Sequence, residues 1–139
     1  MNYDEYVADF NTGDDARLVA KYFAPDITFT GGSRKYTGTQ ELLEFLRWAH
    51  DGVREIIRVQ CAIQQGNKLF AEIDMDFHAS KDRPDFPFKS LQKGDMTTVK
   101  FFVLYTFTDG KISELKSATW PADYQVTKPR AGSAPASLL

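Results

Sequence analysis

Acidic and imidazole side chains alternate with apolar residues along the segment 69–78. Glu72, Asp74, Asp76 and His78 fall two positions apart, and a period of two predicts a β-strand with one polar and one apolar face. If the polar face lines a cavity, burial and mutual repulsion would raise the pKa of a carboxyl group. Asp74, Asp76 and His78 would then form a general acid/base site. The spacing would also suit a metal ion, but we predict a site without metal or cofactor.

The same alternation permits the opposite orientation. Arg58 and Lys100 on neighbouring predicted strands could pair with the acidic row on a solvated or dimer-forming face. Ile73, Met75 and Phe77 would then line the cavity. Alternating strands usually expose their polar side to water, and the sequence leaves both orientations open.

Three helices and several strands must position these groups. Apolar residues spaced by three and four predict helices that begin at Asn2, Asp14 and Thr39. Alternating segments predict strands at 27–30, 54–64, 69–78, 97–108 and 111–120, with a long loop at 80–94. This order predicts an α+β fold in which three N-terminal helices pack on a strongly curved antiparallel sheet. We expect one domain over residues 1–120 and a flexible C-terminal tail over residues 121–139.

The composition of the chain excludes several classes of protein. The chain has 139 residues, eleven Phe and a net charge of -2, which suits a broad apolar interior and argues against nucleic-acid binding. No apolar run is long enough to cross a membrane, so we expect a cytoplasmic protein. The one cysteine, Cys61, rules out an internal disulfide. In the 54–64 strand, Cys61 is expected to be buried on one face with Ile57, Val59 and Ile63.

Short motifs spread through the chain carry a resemblance. They are Tyr6 with Gly-Asp at 13–14, Tyr-Phe-Ala-Pro-Asp-Ile-Thr-Phe at 22–29, Tyr-Thr-Gly at 36–38, Tyr-Thr-Phe-Thr-Asp-Gly-Lys-Ile at 105–112, and Trp120. Together they resemble the nuclear transport factor 2-like superfamily, which includes SnoaL-like polyketide cyclases and ketosteroid isomerase. The resemblance implies a cone whose helices close a hydrophobic pocket against the concave sheet. It also implies a hydrophobic small-molecule ligand and a homodimer through the outer sheet face.

Within this superfamily, ketosteroid isomerase offers the nearest comparison of active sites. The resemblance implies that Tyr6 is an oxyanion donor and that Tyr22 belongs to its hydrogen-bond network. The position of the isomerase's catalytic base corresponds to Thr30, and that of its second acid lies near Val103. Neither side chain can take up and release a proton as an acid/base group must. The sequence therefore does not predict steroid isomerisation by the acid/base residues that ketosteroid isomerase uses. The acid/base aspartate of SnoaL-like cyclases is nearest to Asp123.

Two functional hypotheses follow. The first is a small cofactor-free enzyme that performs cyclisation, isomerisation or dehydration on a hydrophobic oxygenated molecule. The second is a non-catalytic module that binds a small ligand or a protein. The predicted catalytic residues are Tyr6, Asp74, Asp76 and His78, and the predicted pocket residues are Tyr22, Trp48, Phe101, Val103, Tyr105 and Trp120. His50, at the end of the third helix, is expected only to place a favourable charge there.

Overall fold

The computed structural model describes residues 1–121, which form three short helices and one curved sheet. The helices are α1 (Tyr3–Phe10), α2 (Asp15–Tyr22) and α3 (Thr39–Ala49). Asn2 caps α1 by accepting a hydrogen bond from the amide of Glu5 at 3.1 Å, as predicted. The predicted tail over residues 121–139 and the comparison at Asp123 lie outside the described residues, apart from residue 121.

Six strands form one mixed sheet that does not close on itself. They are β1 (Phe23–Gly31), β2 (Arg34–Thr37), β3 (Val53–Gln65), β4 (Lys68–Ala79), β5 (Met96–Thr108) and β6 (Lys111–Thr119). Their order across the sheet is β2-β1-β6-β5-β4-β3. All neighbours are antiparallel except β1 and β6, which pair in parallel because the final strand returns beside the first. The α+β fold predicted from the sequence is confirmed.

The start of the sheet differs from the prediction. Because Pro25 disfavours helical backbone at the preceding residue, the chain leaves α2 at Tyr22 and enters β1 directly. The segment 31–38, where no strand was predicted, contains β2, which pairs antiparallel with β1. α3 begins at Thr39, but its N-cap is Gly38, and no side chain caps it.

A β-bulge changes which residues of β3 share a face. The register shifts between Val59 and Cys61, so that Cys61 lies opposite Glu72 and Ile63 lies opposite Phe70. An extra residue in one strand reverses the sides on which later side chains project. The predicted common face of Ile57, Val59, Cys61 and Ile63 is therefore wrong, and Cys61 is exposed rather than buried.

The core lies between the three helices and the concave face of the sheet. On α1 the residues Tyr3, Tyr6 and Phe10 are buried, as their helical spacing predicts. The long segment between β4 and β5 packs against the core, as the almost complete burial of Phe86 and Leu91 shows. No helix within residues 1–121 is long and apolar enough to cross a membrane.

Candidate active site

A cavity of about 450 Å³ lies between the helices and the concave sheet. This volume suits a small organic ligand. The lining is mainly aromatic and aliphatic. Its principal residues are Tyr6, Phe10, Phe23, Phe29, Leu42, Phe45, Leu46, Ile57, Ile73, Met75, Phe77, Phe88, Phe101, Val103, Tyr105 and Leu115.

The acidic row of β4 lies on the opposite, convex face of the sheet. The carboxylate of Asp76 accepts hydrogen bonds from Nε and Nη2 of Arg58 at 2.8 and 2.9 Å, and another from the hydroxyl of Thr98. Asp74 lies 2.9 Å from Nζ of Lys100. The cations of the two flanking strands therefore neutralise the row, and the predicted placement of Asp74 and Asp76 in the cavity is not found.

The electrostatics of this row differ from those that an acid/base site requires. The hydrogen bond from Arg58 is the largest influence on Asp76 and lowers its pKa below the ordinary value, against the opposing effect of burial. His78 is exposed on the same convex face and lies opposite Arg54 and Met96 on the neighbouring strands. None of Asp74, Asp76 and His78 lines the cavity.

Three tyrosines meet inside the cone. The hydroxyls of Tyr3 and Tyr105 are 3.0 Å apart, and the rings of Tyr6 and Tyr105 make an edge contact with centroids 5.8 Å apart. Burial raises the pKa of Tyr3 to about 12 and raises those of Tyr6 and Tyr105 above the ordinary value. The phenols therefore stay protonated at neutral pH and can donate hydrogen bonds. Tyr6 and Tyr105 line the cavity.

A buried acid–histidine cluster stands beside these tyrosines. His50 caps the C-terminus of α3, and its Nδ1 lies 2.7 Å from Oδ1 of Asp15 in the first turn of α2. Its Nε2 lies 3.3 Å from Oε1 of Glu55 on β3. This second contact is an ion pair without the alignment of a hydrogen bond. The side chains of Asp15, His50 and Glu55 are only 11–12% exposed.

The imidazole of this cluster is positively charged at neutral pH. Burial disfavours the charged form of His50, but the hydrogen bond with Asp15 and the negative charges of Asp15 and Glu55 outweigh burial and raise its pKa to about 10. His50 was predicted only to place a charge at the end of α3. In the structure that charge also pairs with the carboxylates of Asp15 and Glu55. Of these three residues, only Glu55 lines the cavity.

Glu55 is the functional candidate that the sequence interpretation missed. Within residues 1–121 it is the only acidic side chain that lines the cavity. Its charge also contributes to the raised pKa of Tyr6, after the larger effects of burial and of Tyr3, which indicates that the two groups are close. The signal was present in the sequence, because Glu55 precedes the buried Ile57 by two positions and so shares its face.

The predicted pocket residues divide into two groups. Phe101, Val103 and Tyr105 line the cavity. Tyr22, Trp48 and Trp120 do not. Tyr22 packs edge-on against Tyr6 with its hydroxyl donated to Asp9, Trp48 lies behind Phe45, and Trp120 is 56% exposed and stacks on Phe102. Helical and strand periodicity alone did not show that these three rings face away from the cavity.

The loop between β4 and β5 contributes one wall of the cavity. Pro87 and Phe88 line it, and the Phe88 ring packs against Phe77 and Phe101 with centroids 5.4 and 5.2 Å away. Arg83 anchors the loop by donating from Nη1 to the carbonyl oxygens of Ala49 and Asp51 at 3.3 and 2.6 Å. The loop therefore covers part of the cavity.

A single cation stands at the edge of the cavity. Arg34, the first residue of β2, is the only lysine or arginine of residues 1–121 that lines it. Ser33, Ser117 and Thr119 line the cavity as well. The side chains of residues 1–121 bring together no group of three His, Cys, Asp or Glu suited to a metal ion.

Comparison with known proteins agrees with this architecture. Residues 3–115 match the family model described as SnoaL-like domain. A proposed polyketide cyclase from Pseudomonas putida has a TM-score of 0.75 and 18% identity, covering 91% of this chain and 95% of its own. A proposed polyketide cyclase from Xanthomonas campestris has a TM-score of 0.69 and 20% identity over 81% and 82% of the two chains. An NTF2-like protein of unknown function from Burkholderia pseudomallei has a TM-score of 0.68 and 17% identity over 84% of this chain and 86% of its own. No curated protein matches the chain.

Proposed function

Because the chain belongs to the SnoaL-like domain family, we propose that it is a small enzyme that moves a proton within a hydrophobic, oxygenated molecule bound in the cone cavity. The observation that carries the proposal is Glu55, a carboxylate that lines a mainly apolar cavity together with the phenols of Tyr6 and Tyr105. A carboxylate that lines a ligand cavity is a candidate for proton transfer. The reaction would be an isomerisation, a cyclisation or a dehydration, and it would consume no cofactor.

The tyrosines supply the electrophilic half of this chemistry. Phenols of raised pKa keep their protons at neutral pH, so Tyr6 and Tyr105 can donate hydrogen bonds to a carbonyl oxygen of the ligand. These bonds strengthen as negative charge develops on that oxygen. The hydrogen bond between Tyr105 and Tyr3 holds the donor group in place, so little reorganisation is needed when the charge appears.

Glu55 supplies the basic half. Its carboxylate would accept a proton from the carbon next to the polarised carbonyl, and the electrons of that C–H bond would enter an enolate. Returning the proton to a different carbon completes an isomerisation. In a cyclisation the enolate carbon attacks a second carbonyl group, and Glu55 returns its proton to the alkoxide that forms. In a dehydration Glu55 gives its proton to a β-hydroxyl group, which leaves as water while the enolate electrons form the C=C bond. The His50 cation would position the carboxylate through their 3.3 Å ion pair, and Asp15 would hold the imidazole at its other nitrogen.

A non-catalytic binding function is the alternative. The ion pair between Glu55 and His50 at 3.3 Å favours it, since a structural salt bridge would also explain a carboxylate at this place. Under this alternative the cavity would hold the same class of hydrophobic ligand without changing it. The two functions differ in one measurable respect, which is proton exchange on the bound molecule.

Exchange of the α-protons of 2-tetralone in heavy water tests the enzyme directly. This bicyclic ketone fits the cavity volume and needs no knowledge of the natural substrate. We expect the protein to accelerate exchange, and Glu55→Gln to slow it by roughly 100-fold or more because the base is lost. Tyr6→Phe should slow it by roughly 10- to 100-fold with little loss of stability. NMR measures the rates.

Tyr22→Phe is the matched control. Its ring packs directly on Tyr6, but it does not line the cavity, so the exchange rate should stay within about threefold of wild type. Binding of 2-tetralone without faster exchange would instead establish the non-catalytic alternative. If Tyr6→Phe unfolds the protein while exchange survives, the tyrosine has only a packing role.

We further propose that the outer sheet face joins two copies of the chain. Phe70, Phe102 and Trp120 form a row of rings there, with neighbouring centroids 5.8 and 6.2 Å apart. Phe70 is 36% and Trp120 56% exposed. An exposed apolar row of this kind is typical of an interface, and a two-fold axis would pair the row with its own copy.

Sedimentation equilibrium tests this dimer. Phe70→Asp should weaken self-association by at least about tenfold, because a charge within the interface loses its hydration. Met96→Asp is the control, since Met96 is also exposed, at 48%, but lies outside the row of rings. A monomeric wild-type protein, or equal effects of both substitutions, would contradict the proposal.

A further inference from the structure

Arg34 is an exposed cation at the edge of the cavity. Within residues 1–121 no carboxylate lies within ion-pair distance of its guanidinium, although α3 carries Glu41 and Glu44 nearby in the fold. Its one side-chain hydrogen bond to a described residue goes from Nη1 to the neutral hydroxyl of Tyr36 at 3.2 Å. Most donors of this guanidinium are therefore free to bind a ligand.

Aromatic rings hold the guanidinium in place. Its central carbon lies 5.9 Å from the ring centre of Phe45 and 5.1 Å from that of Trp48. Cation–π contacts of this kind fix an arginine without consuming its hydrogen-bond donors. Holding a donor group in its binding position before the ligand arrives reduces the entropy lost on binding.

Within residues 1–121, the two charged residues that line the cavity come from opposite edges of the sheet. Arg34 lies on β2 and Glu55 on β3, which are the two edge strands of the sheet with four strands between them. Glu55 and Asp15 together carry one more negative charge than His50 neutralises. An anionic group on a ligand would be repelled from that end and attracted to Arg34, so one orientation of the ligand would be strongly favoured.

We propose that the cavity binds an amphipathic carboxylate, with its carboxyl group at Arg34 and its apolar, carbonyl-bearing body extending towards Tyr6 and Glu55. This inference rests on the proposed function and names its substrate class. A guanidinium pairs with a carboxylate through two parallel hydrogen bonds. The hydroxyls of Ser33, Ser117 and Thr119, which also line the cavity, provide further donors.

A phosphate ester fits less well, because several cations or a helix N-terminus usually hold a dianion, whereas one cation lines this cavity within residues 1–121.

Calorimetric titration with matched ligands tests the assignment. The probes are 4-(2-naphthyl)butanoic acid, its methyl ester and 2-naphthylethyl phosphate. We expect the acid to bind at least about tenfold more tightly than the ester, because a hydrogen-bonded ion pair is lost in the ester. The phosphate should bind no more tightly than the acid. Added salt should weaken binding of the acid and leave that of the ester nearly unchanged.

Substitutions at Arg34 locate the effect. Arg34→Gln should weaken binding of the acid by roughly 10- to 100-fold and reduce its preference over the ester to about twofold. Arg34→Lys keeps the charge but loses the planar fork, so about one third to one tenth of the wild-type affinity should remain. Lys35→Gln is the control because Lys35 is the adjacent exposed residue of β2 and does not line the cavity. It should leave binding of the acid unchanged.

Several outcomes would overturn the inference. These are equal binding of acid and ester by the wild-type protein, an equal loss of both in Arg34→Gln, or tighter binding of the phosphate. The result can also be separated from the proposed function. A wild-type protein that prefers the acid but exchanges no protons of 2-tetralone would refute the enzyme and keep the carboxylate site. Exchange without any preference for the acid would refute only the carboxylate site.

Discussion

Raising the pH from 6.5 to 9.5 should destabilise the folded protein by on the order of 3 kcal/mol through His50 alone. The pKa of this imidazole rises from 6.5, its ordinary value, to about 10 in the fold. A group whose pKa is higher in the folded state binds its proton more tightly there. Its contribution is therefore fully present below pH 6.5 and disappears as the pH rises through 10. Urea unfolding at a series of pH values measures the change.

Two histidine variants isolate this contribution. His50→Gln leaves the carboxylates of Asp15 and Glu55 without a cation, and removing one partner from a buried charge cluster costs roughly 3 kcal/mol at pH 6.5. The difference from wild type should shrink as the pH approaches 10. His78→Gln, at the exposed histidine, should retain the wild-type pH profile. Parallel profiles for wild type and His50→Gln would show that His50 is not the titrating group.

The fold was predictable because it follows local patterns that the sequence displays. The burial of Tyr3, Tyr6 and Phe10 on α1 follows helical spacing, and the inward face of β5 from Val99 to Tyr105 follows strand alternation. The prediction failed where no local pattern exists. One extra residue near Cys61 reversed the faces of β3, and a bulge carries no compositional signal.

The candidate site was harder to predict, because its residues meet only through tertiary packing. Asp15 and His50 come from opposite ends of two helices, and Glu55 comes from an edge strand. Each side chain has an ordinary local explanation, as a helix cap or a surface charge. The acidic row of β4 had the more conspicuous spacing, yet Arg58 and Lys100 neutralise it on the convex face. The unknown that decided the outcome was which face of β4 points into the cavity, and the alternation of polar and apolar residues alone does not determine this.

Replacing Arg83 with methionine should cost about 3 kcal/mol of stability and detach the wall that Phe88 forms. The Arg83 side chain is 4% exposed, and its guanidinium ties the β4–β5 loop to the end of α3 through two carbonyl oxygens. It also lies 5.3 Å from the ring centre of Trp48. Methionine fills part of the volume but cannot donate hydrogen bonds, so the carbonyl oxygens of Ala49 and Asp51 would lose their partner.

Lys81→Met is the control for this substitution. Lys81 belongs to the same loop and pairs with Asp51 at 2.7 Å, but the two side chains are 50% and 63% exposed, and an exposed pair contributes at most about 1 kcal/mol. Hydrogen exchange should become faster at the amides of Arg83 and Leu91, which pair with each other across the loop, in the Arg83 variant only. Because Phe88 lines the cavity, ligand affinity should fall together with this protection. Unchanged exchange at these amides would mean that aromatic packing, rather than Arg83, holds the loop over the cavity.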